Sequence, residues 1–370
     1  MKIPNLDIVR LHKPIKNELL AAIEKVIDSG EFINGREVNE FERKLAEYCG
    51  VKYAVGVSSG TDALIAALMA FEVRPGDEII TTPYTFFATA GSIARLGAMP
   101  LFVDIEPDTF NINPNEIEEK ITNKTVGIIP VHLFGQSADM RPILAVAKKH
   151  NLWTLEDAAQ SIGAKYEGKQ VGTFGDSAIL SFFPAKNLGS LGDGGAVLTD
   201  NGDLAEKLYI LRNHGSKPKY YHKVIGGNFR LDTIQAAVLL AKLPYLDKWA
   251  EMRRAVAAKY ISAFKKCERV VVPLEKPFAH HVYNQFVIRV PEAKREETIK
   301  ALSAEGIGYA IYYPLSLHEQ ECFAYLGYKQ GEFPQSEKAA KTSLALPIDP
   351  NLSDDEIARI ADVIINTVSH

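Results

Sequence analysis

Residues 53–71 read Tyr-Ala-Val-Gly-Val-Ser-Ser-Gly-Thr-Asp-Ala-Leu-Ile-Ala-Ala-Leu-Met-Ala-Phe. Five residues of short, mostly apolar strand pattern (Tyr53–Val57) lead into a turn of small hydroxyl residues, and an apolar run long enough for a helix follows. The same pattern recurs downstream. Strands are predicted at Glu78–Thr81, Pro100–Val103, Val126–Pro130 and Leu152–Leu155, with helices at Thr85–Leu96 and Ile143–His150 between them. Strands that alternate with helices imply a mostly parallel sheet covered on both faces. Upstream, Ile15–Asp28 and Val38–Tyr48 read as helices separated by the breaker Ser29–Gly35. Downstream, Ala178–Phe183 and Gly195–Thr199 read as two strands joined through a glycine-rich turn, and one long helix is expected from Leu231 to Lys248. A strand at Tyr283–Val290, a helix at Glu296–Glu305 and a final amphipathic helix at Asp354–Val368 suggest a second, smaller α/β domain. The expected division is a large domain over 1–248 and a small one over 249–370.

Composition narrows the function classes. The chain has 370 residues, 46% of them hydrophobic, which suits a globular protein with a sizeable core. With 42 basic and 46 acidic residues the formal net charge is −4, which argues against a general nucleic-acid binder. The three cysteines, Cys49, Cys267 and Cys322, are far apart and form no CxxC or Cys/His spacing, so no disulfide framework and no metal site are expected. The N-terminal stretch lacks the apolar core of a signal peptide, and no run of roughly 18 apolar residues is present. A cytoplasmic protein that neither enters a membrane nor binds nucleic acid is the expectation.

Four stretches carry chemistry. Ser58-Ser59-Gly60-Thr61-Asp62 stands where a strand ends and a helix opens, a position whose free N–H groups suit a phosphate. Gly60 permits close approach and Thr61 adds a hydroxyl, although an ordinary helix cap uses the same residue types. Pro83-Tyr84-Thr85-Phe86-Phe87 offers Phe86 to stack on a flat heteroaromatic ring; a core aromatic is the competing reading. Glu156-Asp157-Ala158-Ala159-Gln160-Ser161 puts two acids at the end of a buried strand, where a charge is costly without a partner. At the C-terminal edge of a parallel sheet such an acid falls where ligands bind, and it also fits a helix cap. The fourth stretch is Ser181-Phe182-Phe183-Pro184-Ala185-Lys186-Asn187-Leu188-Gly189, followed by Gly192-Asp193-Gly194-Gly195. A lysine in such apolar company loses proton affinity and gains nucleophilicity, unless its head reaches water. The glycine spacing is not that of a dinucleotide loop.

These stretches, in this order, resemble the DegT/DnrJ/StrS family of pyridoxal-phosphate (PLP) dependent sugar aminotransferases, which have the aspartate aminotransferase fold. Gly76–Ala90, Pro130–Gln136, Glu156–Ala164, Ser181–Gly189 and Gly226–Ala237 carry the resemblance. It implies that Lys186 holds PLP as a Schiff base and acts as general base and acid, and that Asp157 pairs with the ring nitrogen. Gln160 is implied to meet the ring hydroxyl and Phe86 to cover the ring. Ser59, Gly60, Thr61 and Ser181 are implied to hold the phosphate. Asn228 from the other subunit of a homodimer also reaches the phosphate in this family. Arg230, Tyr312 and Tyr313 fall where such enzymes contact sugar or donor; His318 is a further substrate candidate, with a surface or core role as the competing reading.

Within the family, Ser181–Lys186, Asn228–Ala237 and Tyr312–Gln320 resemble enzymes that aminate C3 of a UDP-linked 2-acetamido-3-keto hexose or hexuronic acid, with an amino acid such as L-glutamate as donor and a role in lipopolysaccharide or O-antigen biosynthesis. Many of these have histidine where this chain has Tyr312, a departure that leaves the sugar's identity open. A dTDP-3-keto-6-deoxyhexose or a 4-keto sugar is the alternative substrate. A sugar dehydratase on the same fold would carry histidine at position 186. A catalytically silent regulator is the reading from a different class, and intact Lys186, Asp157 and Gln160 weigh against it. The histidines, His280-His281 included, show no metal spacing.

Overall fold

The computed structural model describes residues 2–369. Its main sheet begins with β1 (Tyr53–Val57), β2 (Glu78–Thr81), β3 (Met99–Phe102), β4 (Thr125–Ile128) and β5 (Trp153–Asp157). Two short strands follow, β6 (Lys165–Tyr166) and β7 (Lys169–Gln170), and the main sheet resumes with β8 (Ser177–Ser181) and β9 (Gly195–Thr199). Later in the chain come β10 (Ala279–His280), β11 (Phe286–Arg289) and β12 (Ser343–Leu346). The seven-stranded order is β1-β9-β8-β5-β4-β2-β3. The pairs from β8 through β5 and β4 to β2 and β3 are parallel, and β9 runs antiparallel to both β1 and β8. The fold is therefore α/β with a mostly parallel mixed sheet.

The helices are α1 (Ile8–His12), α2 (Lys16–Ser29), α3 (Arg36–Cys49), α4 (Gly60–Ala70), α5 (Ala88–Arg95), α6 (Met140–His150), α7 (Gly202–Leu211), α8 (Thr233–Lys242), α9 (Leu246–Phe264), α10 (Glu292–Ala304), α11 (Pro334–Thr342) and α12 (Asp354–Ser369). Strand alternation explains how the sheet is covered on two sides. Val55, Val57, Leu155, Ile179 and Val197 join one buried cluster with residues of α4 and α7. Ala54, Ala178, Leu180, Ala196 and Leu198 point the other way, into a cluster with residues of α3 and α8. Helix α4 is apolar almost all round because it is buried on most sides, with Ala63 to Leu68 and Ala70 all inaccessible.

Two sequence expectations are corrected. The expected helix from Leu231 to Lys248 is two helices, because Pro244 falls in a tight 3-10 turn at Leu243–Tyr245. The expected helix Thr85–Leu96 begins only at Ala88, and Thr85 and Phe86 belong to the turn before it. Helix α7 was not anticipated; Asn201 caps it by accepting from the Asp203 and Leu204 N–H groups.

The C-terminal part has its own apolar cluster. Residues of β11, β12, α10 and α12 pack there with Val256, Ala257, Tyr260 and Phe264 of α9 and with Ile3 from the N-terminus. The first turn of α9 belongs elsewhere, since Leu246 and Ala250 lie in the sheet cluster. A boundary at 248/249 thus falls inside α9, which we propose as the element shared by the two units.

Candidate active site

The register of the sheet decides what meets at its edge. Val57 of β1 stands opposite Gly195 of β9, and Gly195 stands opposite Ser181 of β8. The turn after β1 therefore lies beside the end of β8. A Cβ at Gly195 would sit 2.4 Å from the Ser59 carbonyl oxygen, and one at Gly60 would sit 2.7 Å from the Ser181 Cβ, so both positions need glycine. Ser59 caps α4 by accepting from the Asp62 N–H at 3.0 Å, and its carbonyl accepts from the Ala63 N–H. The N–H groups of Gly60 and Thr61 are left as the open donors of the first turn. With the exposed Thr61 and the half-buried Ser181 beside them, they form a cradle for an anion at the positive end of a helix.

Asp157 ends β5 two strands away from β9, at the same sheet edge, and is 5% exposed. Its Oδ2 accepts from the Thr89 hydroxyl at 2.8 Å and its Oδ1 from the Ala159 N–H at 3.2 Å. Burial pushes its carboxyl above the usual range, while these two donors and the charge of Lys186 pull it back. Its neighbour Glu156 points the other way. There it binds His132 Nε2 at 2.8 Å and the N–H groups of Gly172, Phe174 and Gly175. Burial alone would raise the Glu156 carboxyl, but His132 and the backbone donors hold it below the usual range. Of the two acids at the strand end, Glu156 is fully engaged in structure and Asp157 faces the site.

Lys186 is half-buried. Burial lowers its ammonium from the ordinary 10.5 to about 8, against the opposing pull of Asp157. The turn that bears it is tied down from several sides. Asn187 Nδ2 donates to the Val282 carbonyl at 3.1 Å, the Leu191 N–H donates to Gln235 Oε1 at 2.8 Å, and the buried Lys242 ammonium donates to the Gly189 carbonyl. Gln235 and Lys242 both come from α8, so that helix holds the lysine's turn in register.

Gln160 lies one turn beyond Asp157 and is 7% exposed. Its Oε1 accepts from the Phe134 N–H at 2.8 Å, which fixes the amide orientation, and its Nε2 donates to the Tyr313 hydroxyl at 3.0 Å. One amide hydrogen remains for a ligand. Burial raises the Tyr313 hydroxyl, which keeps its proton available to donate. The exposed ring of Phe86 lies 6.3 Å from the Tyr313 ring. Tyr84 fastens this aromatic segment by donating to the Tyr312 carbonyl at 2.5 Å and accepting from the Tyr313 N–H at 3.1 Å.

The remaining candidates divide. Arg230 bridges to Val57, and its half-buried side chain carries a buried Nε with no partner. Asn228 is exposed next to Asn213. Tyr312 is half-buried. His318 is 4% exposed and faces Glu337 at 3.2 Å in a cluster with Phe333. Sequence reasoning missed Thr89 and Tyr84 as site residues. The only available signal was their place in an apolar run that also holds Thr85 and Phe86.

The donor set fits PLP: an anion cradle, a buried carboxylate for a ring nitrogen, an amide hydrogen for a ring hydroxyl, an exposed aromatic face and a lysine of lowered proton affinity. Comparisons with known proteins agree. Residues 13–365 match the model of the DegT/DnrJ/EryC1/StrS aminotransferase family. A Geobacillus stearothermophilus protein named pleiotropic regulatory protein is 49% identical, over 100% of both chains. A UDP-N-acetyl-3-dehydro-alpha-D-glucosamine 3-aminotransferase of Acidithiobacillus ferrooxidans is 44% identical, over 99% of this chain and 98% of its own. The crystal structure of S. venezuelae DesV, in complex with a ketimine intermediate, superposes with a TM-score of 0.97 at 38% identity, covering 100% of this chain and 99% of that one.

Proposed function

The chain belongs to the DegT/DnrJ/EryC1/StrS aminotransferase family and is a PLP-dependent transaminase, and from that premise we propose that it aminates C3 of a UDP-linked 2-acetamido-3-keto hexose or hexuronic acid. The convergence of Asp157, Lys186 and the open first turn of α4 at one sheet edge carries the chemical part of this reading. The relative that is 44% identical and named for a UDP-linked 3-keto sugar supports the position of amination.

In this reading Lys186 would bear the cofactor, and the Gly60 and Thr61 N–H groups with the Ser59, Thr61 and Ser181 hydroxyls would hold its phosphate. Asp157 would hold the ring nitrogen protonated, Gln160 would donate to the ring hydroxyl, and Phe86 would cover one face. When bound, PLP supplies an electron-withdrawing ring that stabilises charge at a carbon losing its proton. Lys186 takes the proton from the α-carbon of the amino donor, for which we propose L-glutamate, and returns a proton to the sugar's C3 in the second half-reaction. Tyr312, Tyr313 and Arg230 contact the sugar or the donor carboxylate. His318, which faces Glu337, has no place in this scheme.

The test is the reverse reaction with 2-oxoglutarate and matched 3-amino and 4-amino sugars linked to UDP or dTDP. Turnover is expected with UDP-linked 3-amino-2-acetamido sugars. Turnover confined to 4-amino sugars, or to dTDP sugars without the acetamido group, rejects the assignment.

We further propose a cytoplasmic homodimer with shared sites that serves polysaccharide precursor synthesis. The loop between α7 and α8 exposes Tyr220, Tyr221, Val224 and Ile225, an apolar patch that a second copy of the chain would cover. Among the described residues no helix is long and apolar enough to cross a membrane. In a mixture of an inactive Asn228→Ala protein with a Lys186→Ala protein, hybrid dimers hold one site with both Lys186 and the partner's asparagine intact. Random exchange should restore about a quarter of wild-type activity. No recovery, with exchange verified by mass, rejects the shared site.

A further inference from the structure

A short chain of hydroxyls ends on Asp157. Thr85 is 2% exposed, Thr89 1% and Asp157 5%. The Thr85 and Thr89 hydroxyl oxygens are 3.1 Å apart, and the Thr89 hydroxyl donates to Asp157 Oδ2 at 2.8 Å. A threonine hydroxyl has a single proton. With Asp157 ionised, Thr89 spends that proton on the carboxylate, so the Thr85–Thr89 bond runs from Thr85 as donor. The order Thr85 to Thr89 to Asp157 is thereby fixed by proton count.

No other side chain among the described residues donates a hydrogen bond to Asp157. His132 is near but engaged elsewhere: its Nδ1 accepts from the Ala138 N–H at 3.0 Å, which places its proton on Nε2, and that proton goes to Glu156. The Ala159 N–H at 3.2 Å is the other donor, on Oδ1. An enclosed carboxylate with no donors takes up a proton instead of keeping its charge.

We propose that Thr89, supported by Thr85, is a positioning residue for Asp157: it keeps the carboxylate ionised and turned so that it can hold the cofactor's ring nitrogen protonated. This rests on the reading that Asp157 pairs with that nitrogen. Without Thr89's donation the carboxylate binds a proton more tightly, and the proton shared with the ring nitrogen moves toward Asp157. The ring then withdraws electrons less strongly.

The test uses holoenzyme loaded with PLP labelled with 15N at the ring nitrogen, comparing wild type, Thr89→Val, Thr89→Ser and Asp157→Asn. The ring-nitrogen resonance of Thr89→Val is expected to move toward the unprotonated position. Its kcat should fall about tenfold, the low end of what a hydrogen bond to a charged group contributes, with KM for the donor within about twofold of wild type. Thr89→Ser, which keeps the hydroxyl, is expected to restore both. Thermal unfolding of each apoprotein reports on packing separately. If Asp157→Asn moves the resonance and Thr89→Val leaves it in place, the inference is overturned and the reading of Asp157 stands. If neither moves it, the pairing of Asp157 with the ring fails and the inference fails with it.

Discussion

Lys186→Ala is expected to lower turnover by at least about a thousandfold, because in the proposed mechanism it removes both the covalent attachment point and the general base, and positioned proton transfer alone contributes about 10²–10⁴. Borohydride reduction of the wild-type holoenzyme should leave a pyridoxyl group on the peptide spanning Lys186, and the variant should retain none. The environment predicts the loading step as well. With the ammonium lowered to about 8, roughly one chain in ten carries the neutral, nucleophilic amine at pH 7. For an ordinary lysine at 10.5 the fraction is roughly one in three thousand. Loading of the apoenzyme should therefore speed up as pH rises and level off above about pH 8, whereas a plateau delayed toward pH 10 would show that the side chain stands in water. A label on a different lysine would displace the whole assignment. Circular dichroism of Lys186→Ala should match wild type, since the turn is held by Asn187, Leu191 and Gly189 and not by the Lys186 side chain.

Much of the fold was legible because short buried strands write themselves locally. β1, β2 and β9 fall on the expected residues, and each is a short apolar run bounded by glycine, proline or hydroxyl residues. The strand order was not legible. Nothing local says that β9 inserts between β1 and β8, antiparallel to both, yet this insertion brings Ser59 and Gly60 against Ser181. The expected helix from Leu231 to Lys248 failed because the apolar periodicity runs on across Pro244, where the chain tightens into a 3-10 turn at Leu243–Tyr245. Helix α7 was missed because Asp203, Glu206 and Lys207 interrupt its apolar run and its start signal is a single Asn201.

The candidate site was legible as residue types and illegible as partners. Both Glu156 and Asp157 are acids at one strand end, and sequence cannot say which faces the ligand; strand alternation sends them to opposite sides, and three backbone N–H groups with His132 claim Glu156. His318 shared a motif with Tyr312 and Tyr313, but a 3-10 turn at Leu317–Glu319 buries it against Glu337. Thr89 looked like one more small residue in an apolar helix. Its hydroxyl matters only because β5 delivers a carboxylate 2.8 Å away, a contact between positions 68 residues apart.

Asp157→Asn should lower turnover by about 10²–10³, the range found when one preorganised electrostatic contact is removed from an active site, while leaving the protein folded. The argument follows from the two oxygens. Asp157 receives one hydrogen bond on each, from Thr89 and from the Ala159 N–H, and as an anion it still has lone pairs with which to accept the proton of a ring N–H. An asparagine is neutral and can keep only one of its two ends as an acceptor. If its oxygen stays on Thr89, its NH₂ group points at the Ala159 N–H and two donors collide; if it flips, Thr89 loses its acceptor. In neither orientation does a negative charge remain to hold the ring nitrogen protonated. The loss should appear in kcat for both half-reactions, since each passes through the same ring, and the KM values should change little because in the proposed mechanism Asp157 acts on the ring and not on donor or sugar. Retained PLP with lost turnover is the expected signature, read from the cofactor absorbance and single-turnover rates. Turnover within about threefold of wild type, well under the cost of a lost preorganised contact, would mean that Asp157 serves only the Thr89 and Ala159 contacts at the end of β5.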